Sequence, residues 1–144
     1  KLYTIKKVVY MLNITKTVEY GLIAMRHINK YGSSKSKLFS SKEIATVYHI
    51  PQEILAKTMQ KLSKKQYIAA VKGPYGGYYL NKSLEKINLI EFIEDIEGPV
   101  GLVQCNTNSN CDLLEFCNIK APLMKINSNL RKALNKINLN DLTN

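Results

Sequence analysis

Apolar residues return every three or four positions along most of this chain, and the places where that rhythm breaks mark its turns. Val18, Leu22, Met25 and Ile28 form the first stripe, with Thr15 or Thr17 placed to cap the helix and Gly32 to close it after Tyr31. A polar connector, Ser33 to Lys37, follows. Ser40 and Glu43 then have the spacing of a capping box, and Ile44, Ala45 and Val47 give the short helix after them its apolar side. Tyr48, His49 and Ile50 make a turn. Pro51 suits the first position of the next helix, where its missing N–H costs nothing. In that helix Leu55, Met59 and Leu62 face inward, while Ala56, Lys57, Gln60, Lys61 and Lys64 fall on the other side. The period then changes. Tyr67 to Val71 reads as a strand and Tyr78 to Leu80 as its return partner, joined by a glycine-rich tip. Helix, turn, helix and hairpin, in that order, predict a helix-turn-helix with a wing.

Beyond the wing, Asn88 can cap a short helix over Leu89 to Glu97. Leu89, Ile90, Ile93 and Ile96 are its predicted buried stripe, Glu91, Glu94, Asp95 and Glu97 its solvated face, and Gly98 and Pro99 its stop. Gly98 to Cys117 has few core residues and is rich in Asn, Gly and Ser. A loop this long inside a small domain needs a tether or a function. Pro122 opens a final helix expected to reach Ile137. Its apolar positions Leu123, Ile126, Leu130, Ala133 and Ile137 have the seam spacing of paired helices, although such a stripe can also pack on its own domain. The tail is expected to fold back through Leu139 and Leu142. The fold class is therefore mainly α with a small β wing. Residues 11–97 form the winged helix-turn-helix domain, 98–118 the cysteine loop, and 119–144 a long C-terminal helix with its tail.

Charge sharpens this picture. The 144 residues carry a formal charge of +10, and 45% of them are hydrophobic, enough for a core. Between Ile54 and Leu84 there are six lysines and no acid. A solvated lysine face is the bland reading. Turn, proline, charge and glycine tip agree in one module, however, and together they favour double-stranded DNA as the partner. Nineteen of the 21 basic residues are lysine, which meets phosphate as a point charge and is poorer than arginine at bidentate reading of guanine. No apolar stretch approaches a membrane span and none reads as a secretory signal, so no membrane partner and a cytoplasmic location are expected. An enzyme is not expected: there is no phosphate-binding glycine loop and no nucleophile–base pair.

Three cysteines, Cys105, Cys111 and Cys117, follow C-x5-C-x5-C within the loop ahead of the last helix. Thiolates are soft ligands for iron–sulfur clusters, zinc or copper(I). These gaps let one loop wrap three sulfurs round a single centre, and they do not match the CxxC pairs of structural zinc sites. Unrelated free thiols, a thiol switch, or a small metal- or electron-carrying protein are the other readings of the same residues.

The run GPYGGYYL after the helix end KLSKKQYI, joined to this cysteine spacing, resembles the winged-helix iron–sulfur regulators of the IscR/NsrR type (Rrf family) from about Met11 to the C-terminus. Residues 1–10 match nothing in that pattern. The resemblance implies a homodimeric DNA-binding transcription regulator, in the first instance a repressor, that senses redox state or nitric oxide. The last helix would hold the dimer through Leu123, Ile126, Leu130, Ala133 and Ile137. The second helix of the helix-turn-helix would enter the major groove, and the wing would touch backbone or minor groove. Lys57, Lys61, Lys64 and Lys72 would meet phosphate and Gln52, Glu53 and Ala56 would face bases, with Ser41, Gln60, Gly73, Tyr75 and Gly76 in the same surface.

The resemblance also implies a cluster on Cys105, Cys111 and Cys117 that needs a fourth ligand. The two-iron assembly regulator uses a histidine three residues past its last cysteine. Here that position is Lys120, which cannot serve while protonated. The four-iron nitric-oxide sensor uses an aspartate of its first helix, supplied by the partner subunit, within Thr-Asp-Tyr-Gly-Leu. Val18 to Leu22 aligns with that pattern and puts Glu19 in the ligand position, so a four-iron cluster is favoured over a two-iron one. The alternative for Glu19 is a plain surface acid. His49 lies in the DNA-reading turn and is a poor ligand.

Overall fold

A computed structural model describes residues 13–32, 36–102 and 115–143. Cys105 and Cys111, the extension 1–10 and most of the cysteine loop lie outside the described residues. The architecture is helical with one small sheet: α1 (Lys16–Tyr31), α2 (Ser41–Tyr48), α3 (Gln52–Lys64), β1 (Ile68–Val71), β2 (Gly77–Leu80), α4 (Leu89–Glu97) and α5 (Lys120–Leu134), with single 3-10 turns at Leu84–Lys86 and Leu139–Leu142.

The helix starts follow from side-chain caps. Thr15, not Thr17, caps α1, its hydroxyl accepting from the Val18 N–H. Ser40 accepts from the Glu43 N–H at 3.1 Å to open α2, and Asn88 accepts from the Glu91 N–H to open α4. Pro51 stands one position earlier than expected, as the N-cap of α3 rather than its first residue, with no side-chain cap bond. Three of the four residues expected on the first stripe are buried, Val18, Met25 and Ile28, while Leu22 is half-buried. They meet Leu55, Met59 and Leu62 of α3, Ile44 of α2 and Phe92 of α4 in one core.

Gly21 lets α1 approach that closely. A Cβ built there would lie 3.3 Å from both Ile96 Cδ1 and Phe92 Cζ, and 3.5 Å from Thr58 Cγ2. A side chain at position 21 would therefore press on Ile96 and Phe92, and its absence lets α1 pack tightly against α4. In α4 the deepest side chain is Phe92, not Ile93, which is only partly covered. The predicted solvated face of α4 also needs correction. Glu94 pairs with Arg131 of α5 at 2.5 Å, and Asp95 accepts from the Tyr67 hydroxyl at 2.5 Å and faces Lys65 at 3.6 Å.

The hairpin pairs antiparallel, with Ile68 opposite Leu80 and Val71 opposite Gly77. Phe39, unassigned from the sequence, adds a bridge beside it: its N–H donates to the Tyr78 carbonyl at 3.0 Å and the Tyr78 N–H returns at 2.8 Å. Its ring is buried in the core, so the segment ahead of α2 fastens the wing to the helices.

The final helix begins at Lys120, with Pro122 inside its first turn, where a missing N–H is still costless, and it ends at Leu134 rather than Ile137. Ile137 therefore leaves the predicted seam. Its carbonyl accepts from the Leu89 N–H at 2.9 Å and its side chain packs on the core of its own chain. Leu139 folds back as expected and is 2% exposed, whereas Leu142 remains 41% exposed at the rim of a groove it shares with Leu22, Ile23 and Arg26.

Candidate nucleic-acid interface and cysteine segment

The helix-turn-helix is held by its turn. His49 closes α2 in the left-handed region at φ 54°, a conformation that His tolerates better than a branched residue would, and the Ile50 N–H returns to the Ala45 carbonyl. Ile50 is buried there and sends the chain straight into α3. A second brace was not legible from spacing. His27 is buried on α1, and its Nδ1 shares a 3.0 Å hydrogen bond with the Tyr48 hydroxyl at the end of α2. The rings of Phe39 and Tyr48 stand edge-on to it. Burial pushes the His27 imidazole pKa down, with Glu43 opposing the shift and Lys37 adding to it, so the neutral ring is the resting form. The available signal was its place between Ala24 and Ile28 on the buried arc of α1.

The face of α3 opposite Leu55, Thr58, Met59 and Leu62 is open to solvent. Gln52, Glu53, Lys57, Gln60, Lys61 and Lys64 are all exposed, and Ala56 is partly covered. Glu53, Lys57, Gln60 and Lys64 recur once per helical turn and lie furthest from the core. Lys57, Lys61 and Lys64 have no acidic partner among the described residues. Lys65, by contrast, is drawn to Asp95. Ser41, half-buried, and the exposed Lys42, missed from the sequence, open α2.

The wing tip is built for close backbone approach. The Gly76 N–H donates to the Gly73 carbonyl at 2.9 Å, Gly73 has φ 115°, and a Cβ on Gly76 would collide with the Val71 carbonyl oxygen. Lys72 is exposed and Tyr75 is 93% exposed, so the tip presents a cation and an aromatic ring that the protomer does not use. At the hairpin's root, the Tyr67 carbonyl accepts from the Asn81 N–H and closes the two strands, while the Tyr67 hydroxyl bond to Asp95 fixes the wing to α4.

Both arginines are committed away from these surfaces. Arg26 donates to the Thr143 carbonyl at 3.4 Å, and Arg131 holds Glu94 and donates to the Val100 carbonyl at 3.1 Å, at the entrance to the cysteine segment.

Of the expected cluster ligands only Cys117 and Glu19 are described. Cys117 is a free, half-buried thiol three residues ahead of α5. Glu19 lies in the first turn of α1, where its carboxylate meets Lys16 at 2.6 Å. Lys120 is the first residue of α5. Among the described residues no three His, Cys, Asp or Glu side chains come together as a metal site. Along α5 no side chain is fully buried: Leu123 and Leu130 are partly covered, Ala133 is exposed, and Ile126 is 53% exposed. No described helix is long and apolar enough to cross a membrane.

A two-helix reading unit with an open basic face, a glycine-tipped hairpin after it and a separate exit helix define the chain as a winged helix-turn-helix protein of the DNA-binding regulator class. Residues 14–144 match the profile of the Rrf2 family, described as iron-dependent transcriptional regulators, and the chain belongs to that family. Over 133 residues it is 29% identical to the HTH-type transcriptional regulator NsrR of Halalkalibacterium halodurans, spanning 91% of this chain and 90% of that protein. A 66-residue stretch is 42% identical to an Aquifex aeolicus protein named for an HTH-type transcriptional regulator, spanning 46% of this chain and only 44% of that one. Among solved structures, CymR of B. subtilis, the global cysteine regulator, shares the fold at TM-score 0.68 and 23% identity, over 92% of this chain and 96% of its own.

Proposed function

We propose that this Rrf2-family regulator acts in the cytoplasm as a homodimer, most simply a repressor, and that an iron–sulfur cluster controls its grip on duplex DNA. The observation that carries the DNA half is the row of unpaired lysines on α3, held opposite a fully packed inner face. In this reading Lys57, Lys61, Lys64 and Lys72 meet phosphates, and Gln52, Glu53, Ala56 and Gln60 face base edges. Ser41 at the head of α2 and Gly73, Tyr75 and Gly76 at the wing tip complete the surface. Ile126 and Ala133, exposed, with Leu123 and Leu130, only partly covered by the protomer, are the seam for a second copy, and a two-fold protein matches two half-sites.

The control half is supported by the donor set. Three thiolates, Cys105, Cys111 and Cys117, fit an iron–sulfur cluster, and such a cluster supplies a group that oxidants or nitric oxide can alter. Glu19 of the partner is the proposed fourth ligand of a four-iron cluster. Its pairing with Lys16 does not bar this, because water and salt screen an exposed ion pair of this kind and a stronger partner can displace it. Domain roles follow: 11–97 reads DNA, 98–118 senses, and 119–144 dimerises while its tail braces the reading domain. A second reading keeps DNA binding but lets the same thiols act without a cluster. It draws on Glu19 already having a partner in its own helix and on the kinship in fold with CymR. Preparation without oxygen, reconstitution with iron and sulfide, and an absorption spectrum with iron and sulfide counts separate the two. Four irons and four sulfides per protomer are expected; a protein that takes up zinc or no metal defeats the cluster reading and leaves the DNA-binding one standing.

A further inference from the structure

Glu53 is the only acid of α3, and it sits on the outermost line of the helix with Lys57, Gln60 and Lys64. No ion pair engages it among the described residues. On a surface that approaches a polyanion, a carboxylate is repelled by every phosphate, and the lysines beside it only offset that cost. It is held favourably there only against a hydrogen-bond donor. In the major groove, guanine shows two acceptors and thymine an acceptor and a methyl group. Adenine sets an acceptor beside its amino group, and cytosine alone presents an amino donor with no acceptor of its own next to it. The arginines that would serve guanine are tied to Thr143, Glu94 and Val100.

We infer that Glu53 is a specificity-determining residue that accepts a hydrogen bond from the N4 amino group of a cytosine, once in each half-site, and excludes guanine and thymine at that position. The inference rests on the DNA-binding reading above and deepens it by naming a base. A different role for the same acid is the helix dipole, since Pro51 gives α3 no side-chain cap and an acid in the first turn is favourable. The two roles predict different measurements.

The test is selection from a randomised duplex library with the full-length wild type and with Glu53→Gln, together with direct titration of a scrambled duplex and thermal unfolding of both proteins. The wild type should enrich a cytosine at one symmetric position. Glu53→Gln should lose that preference by about tenfold and move it towards adenine, which an amide reads with donor and acceptor together. It should also bind the scrambled duplex several-fold more tightly, because a negative charge has left the interface. Glu53→Ala, carried in parallel, should lose the preference without gaining adenine. Selection of the same sequences with the same strength by wild type and variants overturns the proposal, as does a wild-type site with no symmetric cytosine. A lowered melting temperature with unchanged base preference assigns Glu53 to the helix dipole instead. A wild type that retains no duplex at low salt removes the DNA-binding reading itself, and this inference with it.

Discussion

Replacing Tyr67 by Phe deletes one oxygen at the joint between the wing and α4. The ring is buried against Phe92, with centroids 5.2 Å apart, and Phe keeps that contact. What is lost is a 2.5 Å bond from a phenol to the Asp95 carboxylate. Hydrogen bonds to charged groups contribute about 1.5–3 kcal/mol. Asp95 would not be stranded, because Lys65 lies 3.6 Å away and the carboxylate is partly exposed, so the low end applies. Tyr67→Phe should therefore cost about 1.5 kcal/mol, or about 5 °C in melting temperature for a domain of this size.

The pH dependence gives the same bond a second signature. Burial, and then the Asp95 carboxylate, raise the Tyr67 phenol pKa above its ordinary value. The raised pKa means that stability is fully present below the unfolded value, about 10, and is lost as pH climbs from there towards the folded value. In that window the wild type should lose about 1.4 kcal/mol per pH unit relative to Tyr67→Phe, so its advantage disappears near pH 11. Urea titrations of both proteins from neutral to alkaline pH measure this directly, with lysine titration common to the two. Parallel stability profiles across that range, or equal stability at neutral pH, would refute the reasoning.

Gly21→Val should destabilise by about 1–3 kcal/mol, because its Cβ and methyl groups must displace Ile96 and Phe92, and thermal unfolding reads the loss. Leu130→Glu should leave the reading domain folded but place a charge in the proposed seam, giving monomers by light scattering and much weaker duplex binding. Any one of Cys105→Ala, Cys111→Ala or Cys117→Ala should abolish the visible absorption of the reconstituted protein. Glu19→Ala should leave a cluster that forms but decays faster, since water or a solute thiol can replace a weakly held carboxylate; equal spectra and lifetimes would reject Glu19 as the ligand.

The reading unit was legible from the sequence because local rules agree there. Ser40 and Asn88 cap what they were expected to cap, and Leu55, Met59 and Leu62 bury one face of α3 and so expose the other. What escaped were long-range partners. Nothing local pairs Phe39 with Tyr78, Tyr67 with Asp95, or His27 with Tyr48, since each joins residues 21 to 39 positions apart, and the α4 acids therefore read as merely solvated. The end of α5 was misjudged for a similar reason. Ile137 continues the helical spacing, but the Leu89 N–H and the core offer it a better place than another turn of helix. Cys105 and Cys111 lie outside the described residues, so the cluster site still rests on spacing, on resemblance and on the family to which the chain belongs.

The most direct measurement is the salt dependence of duplex binding by the wild type, Lys57→Ala and Lys61→Ala. If Lys57, Lys61, Lys64 and Lys72 of both protomers each neutralise one phosphate, the logarithm of affinity should fall with a slope of about −7 against the logarithm of salt concentration. Each substitution removes two contacts per dimer, so it should weaken binding to specific and scrambled duplexes alike and flatten the slope by about 2. Affinity and slope unchanged in both variants would show that α3 does not face DNA.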